Sequence, residues 1–246
     1  YQDARGGGHF SGRITAASVA AGAVCEGVLR NLGVRVYTHI AACAGVQDAP
    51  LSSAAGLLLP EPEPGHFALL DPEKEAAMQQ AIRDAGAQGD SVGGILETVV
   101  TGLPAGVGEP WFDSVESELS HLMFASPACK GVEFGAGFAF AALRGSHAND
   151  PFYEENGVVK TETNNNGGIL GGITSGMPLI VRACIKPTPS IGMVQDTLNI
   201  RTGKVEPLSI HGRHDPCIVT RAAPVVEAAC AVALADLLRE AKGYHA

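Results

Sequence analysis

An α+β fold built on antiparallel sheet is what the sequence predicts, and three observations carry the prediction. Few stretches have helical periodicity; short strand-like runs joined by hairpin-length loops fill most of the remainder; and no fixed-period repeat or clean linker divides the chain. With 246 residues, 46% of them apolar, the chain can bury a large core, and it reads as one domain over residues 1–246. Only 5% of residues are aromatic and 31 are glycine, so small residues are expected to pack tightly against the helices.

The chain opens on Tyr1-Gln2-Asp3, without an initiator methionine, and runs straight into a glycine motif, Arg5 to Arg13, as the interior of a longer protein would. Ile14 to Asn31 repeats apolar residues at helical spacing (Ile14, Ala17, Ala21, Val24, Val28), and Gly33 follows as a stop. A glycine loop opening a helix bares N–H groups at the positive end of the dipole, which suits an anion. Ser11 can cap that helix or donate to a ligand. Val34 to Val46 reads as a strand, and Gln47 to Leu70, broken by proline and glycine, as a long surface connection. Asp71-Pro72-Glu73 starts a helix with a cap, a first-turn proline and acids, lasting to about Ala85. Val92 to Leu103 is a strand, Pro104 to Pro110 a tight loop, and Asp113-Ser114-Val115-Glu116 a capping box for a helix to Ala125. Val132 to Leu143 reads as a further strand, followed by a polar segment to Asn166.

Asn164 to Ser190, NNNGGILGGITSGMPLIVRACIKPTPS, is the most distinctive stretch. Its paired glycines serve either as a turn between strands or as backbone that approaches a flat or charged ligand, since no Cβ intervenes. Val181 to Ile185 is a buried strand that Lys186-Pro187 ends. A polar hairpin over Gly192 to Pro207, the motif His211 to Cys217 and a helix from about Pro224 to Lys242 complete the chain.

The net charge is −9, with acids crowded between Glu61 and Glu118, where only Lys74 and Arg83 oppose them. That balance excludes sequence-independent nucleic-acid binding, which needs a basic face. The sparse cations Arg5, Arg13, Lys130, Arg144, Lys186 and Arg213 sit beside glycines, where an anionic small molecule would be held. No run of 18 apolar residues suggests a membrane helix. Six cysteines without a C-x-x-C pair read as reduced core thiols in a cytoplasmic protein, and no metal site is expected. A G-x-S-x-G elbow, a Walker loop and a Rossmann fingerprint are all absent, which removes the commonest hydrolase, nucleotidase and dehydrogenase readings.

RGGG-x-x-S-x-R, GxGEP-x-FD, PA-x-KG-x-E-x-G-x-GF, RGS-x-x-ND, NN-x-GGILGGI-x-x-G, KP-x-x-SI and GRHDPC-x-x-R-x-x-P-x-x-E-A follow one another in order from Arg5 to Asp236. This series resembles chorismate synthase. The resemblance implies a β-α-β sandwich with helices between antiparallel sheets, assembled as a homotetramer. It implies a carbon–oxygen lyase of aromatic amino acid biosynthesis: 1,4-anti elimination of phosphate from 5-enolpyruvylshikimate 3-phosphate, with reduced FMN as cofactor and NADPH or another reductant keeping it reduced. By the same resemblance His9, Phe10 and Ser11, Pro127 and Ala128, Gly171, and Lys186, Pro187, Thr188, Pro189 and Ser190 contact the flavin. Arg213 lies near flavin and substrate, Asp215 relays a proton, and Arg13 and Arg5 face the substrate's anions. Two histidine acids and several arginines of the family precede the point where this chain begins, so an N-terminally truncated member with impaired turnover is expected. The alternative is a non-catalytic flavin- or phosphate-binding module or an assembly partner.

Overall fold

The structure, a computed structural model, describes residues 8–51, 63–212 and 214–243. Two short 3₁₀ turns (Gly8–Phe10 and Gly12–Ile14) lead into α1 (Thr15–Asn31), then β1 (Arg35–Cys43), β2 (Val46–Gln47), α2 (Lys74–Ala87), β3 (Gly94–Thr101), α3 (Val115–Ala125) and β4 (Cys129–Phe134). A one-turn α4 (Gly145–Ala148), a hairpin of β5 (Phe152–Glu155) and β6 (Val158–Thr161), and a second of β7 (Ile169–Leu170) and β8 (Ile173–Thr174) follow. The chain ends with β9 (Leu179–Ile185), the hairpin β10 (Gln195–Asn199) and β11 (Lys204–Leu208), and α5 (Val219–Gly243).

Five strands form one antiparallel sheet in the order β2-β1-β3-β9-β4, so the α+β class with antiparallel sheet holds. Alternate side chains point to opposite faces of a sheet. Ile40, Leu96, Val100, Val181 and Ala183 share the face that meets Val226, Cys230, Leu234 and Leu237 of α5, and all of them are buried. On α5's other flank lies α1. A Cβ on Gly22 would overlap Ala228, so this glycine sets how closely the two helices approach. Val24 and Val28 project from α1 away from that contact and are exposed. Gly12–Asn31 is long and apolar enough to cross a membrane by length and composition, which the absence of an unbroken apolar run did not reveal; here it packs along α5.

Several boundaries differ from the sequence expectation, each for a local reason. The strand expected over Val132 to Leu143 stops at Phe134. Gly135 (φ 55°) and Gly137 (φ 54°) turn the chain into a 3₁₀ segment, Gly137–Ala142, where Phe138 N–H donates to the Glu133 carboxylate at 3.0 Å. Alternation of Phe with small residues had imitated a strand there. The N-cap of α3 is Ser114, whose Oγ accepts from Ser117 N–H at 3.1 Å, in place of the expected Asp113–Glu116 box. The last helix starts at Val219 and holds Pro224 inside it, near enough to the N-terminus that only one carbonyl loses its partner.

Glu227, in the second half-turn after that proline, makes the clearest electrostatic demand on the fold. Its carboxylate accepts from Thr38 N–H at 2.7 Å. Burial, reinforced by Glu26, lifts its pKa from 4.5 to about 7, against the pull of the Thr38 hydrogen bond and Arg30. The folded state thus holds this proton more tightly than the unfolded chain does, so its contribution falls as pH rises from 4.5 to 7 and stays low above that. Glu227→Gln keeps an acceptor for Thr38 and removes the charge. The variant is expected to gain about 2 kcal/mol over the parent at pH 8 and nothing at pH 4. Urea unfolding at the two pH values measures this, and parallel curves for parent and variant would contradict it.

Candidate functional site

Most of the residues singled out from the sequence converge on one end of the sheet, where β1 and β9 finish and β3 and β4 begin. Gly94 pairs with both Cys43 and Ile185, which places three strands at one junction. A Cβ on Gly93 would overlap the Ile185 carbonyl and press on Pro187, and one on Gly94 would overlap the Ala42 carbonyl. Glycine is therefore required at both positions by space. Ser91 Oγ donates to the Thr188 carbonyl at 2.7 Å, and Val92 N–H to the Pro216 carbonyl at 2.8 Å. Lys186 N–H donates to the Ala128 carbonyl at 3.0 Å. These bonds bring Pro127–Ala128, Lys186–Ser190 and the His214–Cys217 turn together around the start of β3.

Three features mark this junction as more than scaffold. Ala128 sits at φ 72°, a left-handed conformation that costs a residue with a Cβ energy and that clusters at functional sites. The Thr188 hydroxyl oxygen is buried with no hydrogen-bond partner. Lys186, half-buried, forms no ion pair among the described residues.

The adjoining polar groups are oriented. His214 Nε2 lies 2.8 Å from the Ile210 carbonyl, which can only accept, so that nitrogen carries the proton; Nδ1 then accepts from Ser190 Oγ at 3.2 Å. Asp215 is paired with Arg221 at 2.6 Å and also accepts from Cys217 N–H at 3.4 Å. At the entry to α1, Ser11 acts as a cap, accepting from Arg13 N–H at 3.3 Å, which leaves its hydroxyl hydrogen for another acceptor. His9, Phe10 and Arg13 are exposed there. Arg5 and Arg213 lie outside the described residues.

Gly171 does not join this group. It sits in the β7–β8 turn, whose next residue, Gly172, accepts from Val115 N–H at the start of α3. Lys186 follows the far end of β9, and α3 ends near Ala128, so one strand of seven residues, roughly 20 Å, separates the two. The asparagine–glycine run before it has structural employment. Asn164 Oδ1 accepts from Gly168 N–H at 2.8 Å, and Asp150 accepts from the Asn165 and Asn166 N–H groups and from Thr163. Burial alone would raise the Asp150 carboxyl, but these hydrogen bonds outweigh it and hold it below its ordinary value. Cβ atoms on Gly167, Gly168 and Gly172 would each crowd neighbouring backbone; above Gly171 there is open space. The sequence reading also passed over Ser91 to Gly94, the seam of the junction, although a glycine pair opening a strand was a visible signal. A separate cavity of about 200 Å³ lies beside Thr38, His66, Phe67, Pro224 and Glu227, lined by none of the residues assigned from sequence.

A family model described as chorismate synthase matches residues 1–238. The chain belongs to the chorismate synthase family. The chorismate synthase of Thermococcus gammatolerans is 46% identical over the full length of this chain and 67% of its own. That of Methanosarcina acetivorans is 46% identical over 96% of this chain and 64% of its own. A solved crystal structure of a chorismate synthase superposes with a TM-score of 0.73 at 28% identity, covering 94% of this chain and 64% of that one. The chain thus spans about two-thirds of the length of the chorismate synthases it matches.

Proposed function

We propose that the junction of β3, β4 and β9 forms the cofactor-facing part of a chorismate synthase, an enzyme that eliminates phosphate from 5-enolpyruvylshikimate 3-phosphate to give chorismate, acting as a carbon–oxygen lyase. The observation that carries the reading is the meeting of Pro127–Ala128, Lys186–Ser190 and His214–Asp215 at one place in a chain of this family. The residues suit reduced FMN. The orphaned Thr188 hydroxyl offers a hydrogen bond, Lys186 a cation for a phosphate or the polar edge of the ring system, and exposed Phe10 an apolar face. When bound, reduced FMN supplies transient electron density to the allylic C–O bond, whose cleavage is otherwise slow.

The chain's own part in that reaction is placement and charge. Lys186 offsets negative charge in a partly desolvated setting, where an ion counts for more than it does in water. Arg221 and Cys217 N–H fix the Asp215 carboxylate, which in this reading would hold and pass on a proton at its own oxygens. His214 holds Ser190 Oγ in register with the Lys186–Pro189 turn. Arg13, Arg5 and Arg213 are assigned to the anionic groups of substrate and cofactor, a homotetramer to the assembly, and NADPH or an equivalent reductant to the upkeep of the flavin.

Anaerobic mixing of the purified chain with reduced FMN and 5-enolpyruvylshikimate 3-phosphate, followed by chorismate absorbance and flavin fluorescence, tests the reading. Quenching with turnover supports it in full; quenching without turnover supports a flavin-binding module; unquenched fluorescence sinks both. Lys186→Ala is expected to weaken FMN binding by about 1.5–3 kcal/mol, roughly 10- to 150-fold in the dissociation constant. An unchanged constant would remove Lys186 from the site.

A further inference from the structure

Cys43 closes β1 at the junction, and Cys217 follows Pro216 in the turn that crosses it; 174 positions apart in sequence, their sulfurs are 3.6 Å apart. Both residues are buried. Among the described residues no other two cysteine sulfurs meet at hydrogen-bonding distance, and the most exposed thiol, Cys184, has no such neighbour. Cys217 stands just ahead of α5, and the backbone N–H groups of Val219 and Thr220 in its first turn favour negative charge on the sulfur. Either sulfur of the pair can be the donor; with Cys43 donating, the bond stabilises a thiolate at Cys217. Together these donors favour a thiolate at Cys217, bringing its pKa down to about 7 against burial and the nearby Asp215, while Cys43 keeps its proton and is pushed up. A thiolate in van der Waals contact with a second thiol is the arrangement that a reactive cysteine and its resolving partner need.

We infer that Cys43 and Cys217 are a redox-active pair, which peroxide closes to a disulfide that fastens the His214–Cys217 turn to the end of β1. The chemistry balances in two steps. The Cys217 thiolate attacks one oxygen of hydrogen peroxide, giving a sulfenic acid and hydroxide. The Cys43 thiol then attacks that sulfur, forming the S–S bond and releasing water, so that two thiols and one peroxide become one disulfide and two waters. Reduction by an external dithiol reverses it. Because the bond would cross-link residues distant in sequence, it also restricts the unfolded chain strongly.

The test needs no knowledge of ligand. The full chain is titrated with hydrogen peroxide, denatured in N-ethylmaleimide and mapped by mass spectrometry without reduction. The first intramolecular product is expected to be a Cys43–Cys217 linked peptide, lost on treatment with dithiothreitol, and the oxidised protein is expected to melt several degrees higher than the reduced one. In Cys43→Ser, which lacks the resolving thiol, dimedone should trap a sulfenic acid at Cys217 that is not trapped in the parent. Should that variant fail to fold, the mapping of the parent decides alone. Alkylation of both Cys43 and Cys217 after peroxide, with oxygen added only at Cys184, would overturn the assignment.

Discussion

Arg182→Leu is expected to destabilise the fold by about 4 kcal/mol and to lower its melting temperature by roughly 10 °C. On the face of the sheet opposite α5, His39, Glu97, Arg182 and Glu133 stand side by side on β1, β3, β9 and β4, each in register with the next. Arg182 spends its whole fork there. Nη1 donates to Glu97 at 3.0 Å, Nε to Glu133 at 2.6 Å and Nη2 to the Gly135 carbonyl at 2.6 Å. Glu97 also meets His39 Nε2 at 3.0 Å, and His39 Nδ1 meets Asp48 at 2.9 Å, so the ring bridges the two carboxyl groups. Asp48 in turn accepts from Leu70 and Asp71 N–H, which ties the long connection after β2 to the sheet. Removing the guanidinium leaves two carboxylates flanking β9, one of them buried, without their main counter-charge. Loss of one partner from such a network costs far more than the intact network contributes. Arg182→Lys should recover only part of the loss, because an ammonium cannot serve three acceptors spread across a planar fork. Equilibrium unfolding in urea measures both variants; a change below about 1 kcal/mol for the leucine variant would show the network to be incidental.

Gly94→Val is expected to cost at least about 4 kcal/mol, a large fraction of the stability of a domain. Gly94 has no unusual φ, so its need for glycine is a matter of space. A side chain would overlap the Ala42 carbonyl and come within 3.1 Å of Val219 Cγ2 and 3.2 Å of Cys43 Cα. These atoms belong to an adjacent strand and to the first turn of α5, and neither can yield without opening the junction that carries Pro187 and Cys217. Gly27 is the opposite case. It lies inside α1 with nothing within 4 Å of its would-be Cβ, so Gly27→Ala should stabilise by about 0.5–1 kcal/mol through helix propensity alone. Opposite signs for the two substitutions in thermal melts are the expected result; matching signs would contradict the packing reason.

The sequence made the long elements legible because their periodicity survives without context. α1, α2, β1, β3 and α5 were all recognisable from apolar spacing and stop signals, with ends displaced by a few residues. Where local pattern imitated another state, as Gly137–Ala142 did with its alternating phenylalanines, tertiary bonds to Glu133 and Arg182 decided the outcome. The row from His39 to Glu133 was invisible, since it shows in sequence as four unrelated polar residues inside apolar strands and only cross-strand register joins them. The candidate site was legible through motif resemblance, not through spacing. Gly171 and Lys186 look adjacent in one glycine-rich stretch, yet β9 lies between them and carries them to opposite ends of the sheet. Conversely, Ala128, Ser190 and Asp215 are far apart in sequence and are drawn together by backbone and side-chain hydrogen bonds of these segments that no linear pattern encodes.

Amide hydrogen exchange with and without FMN most directly tests whether the β3–β4–β9 junction is the cofactor face. Slowed exchange is expected across Ala128–Lys130, Lys186–Ile191 and His214–Cys217, with the β7–β8 turn around Gly171 unchanged. Protection confined to that turn, or absent from the junction at saturating FMN, would contradict the proposed site.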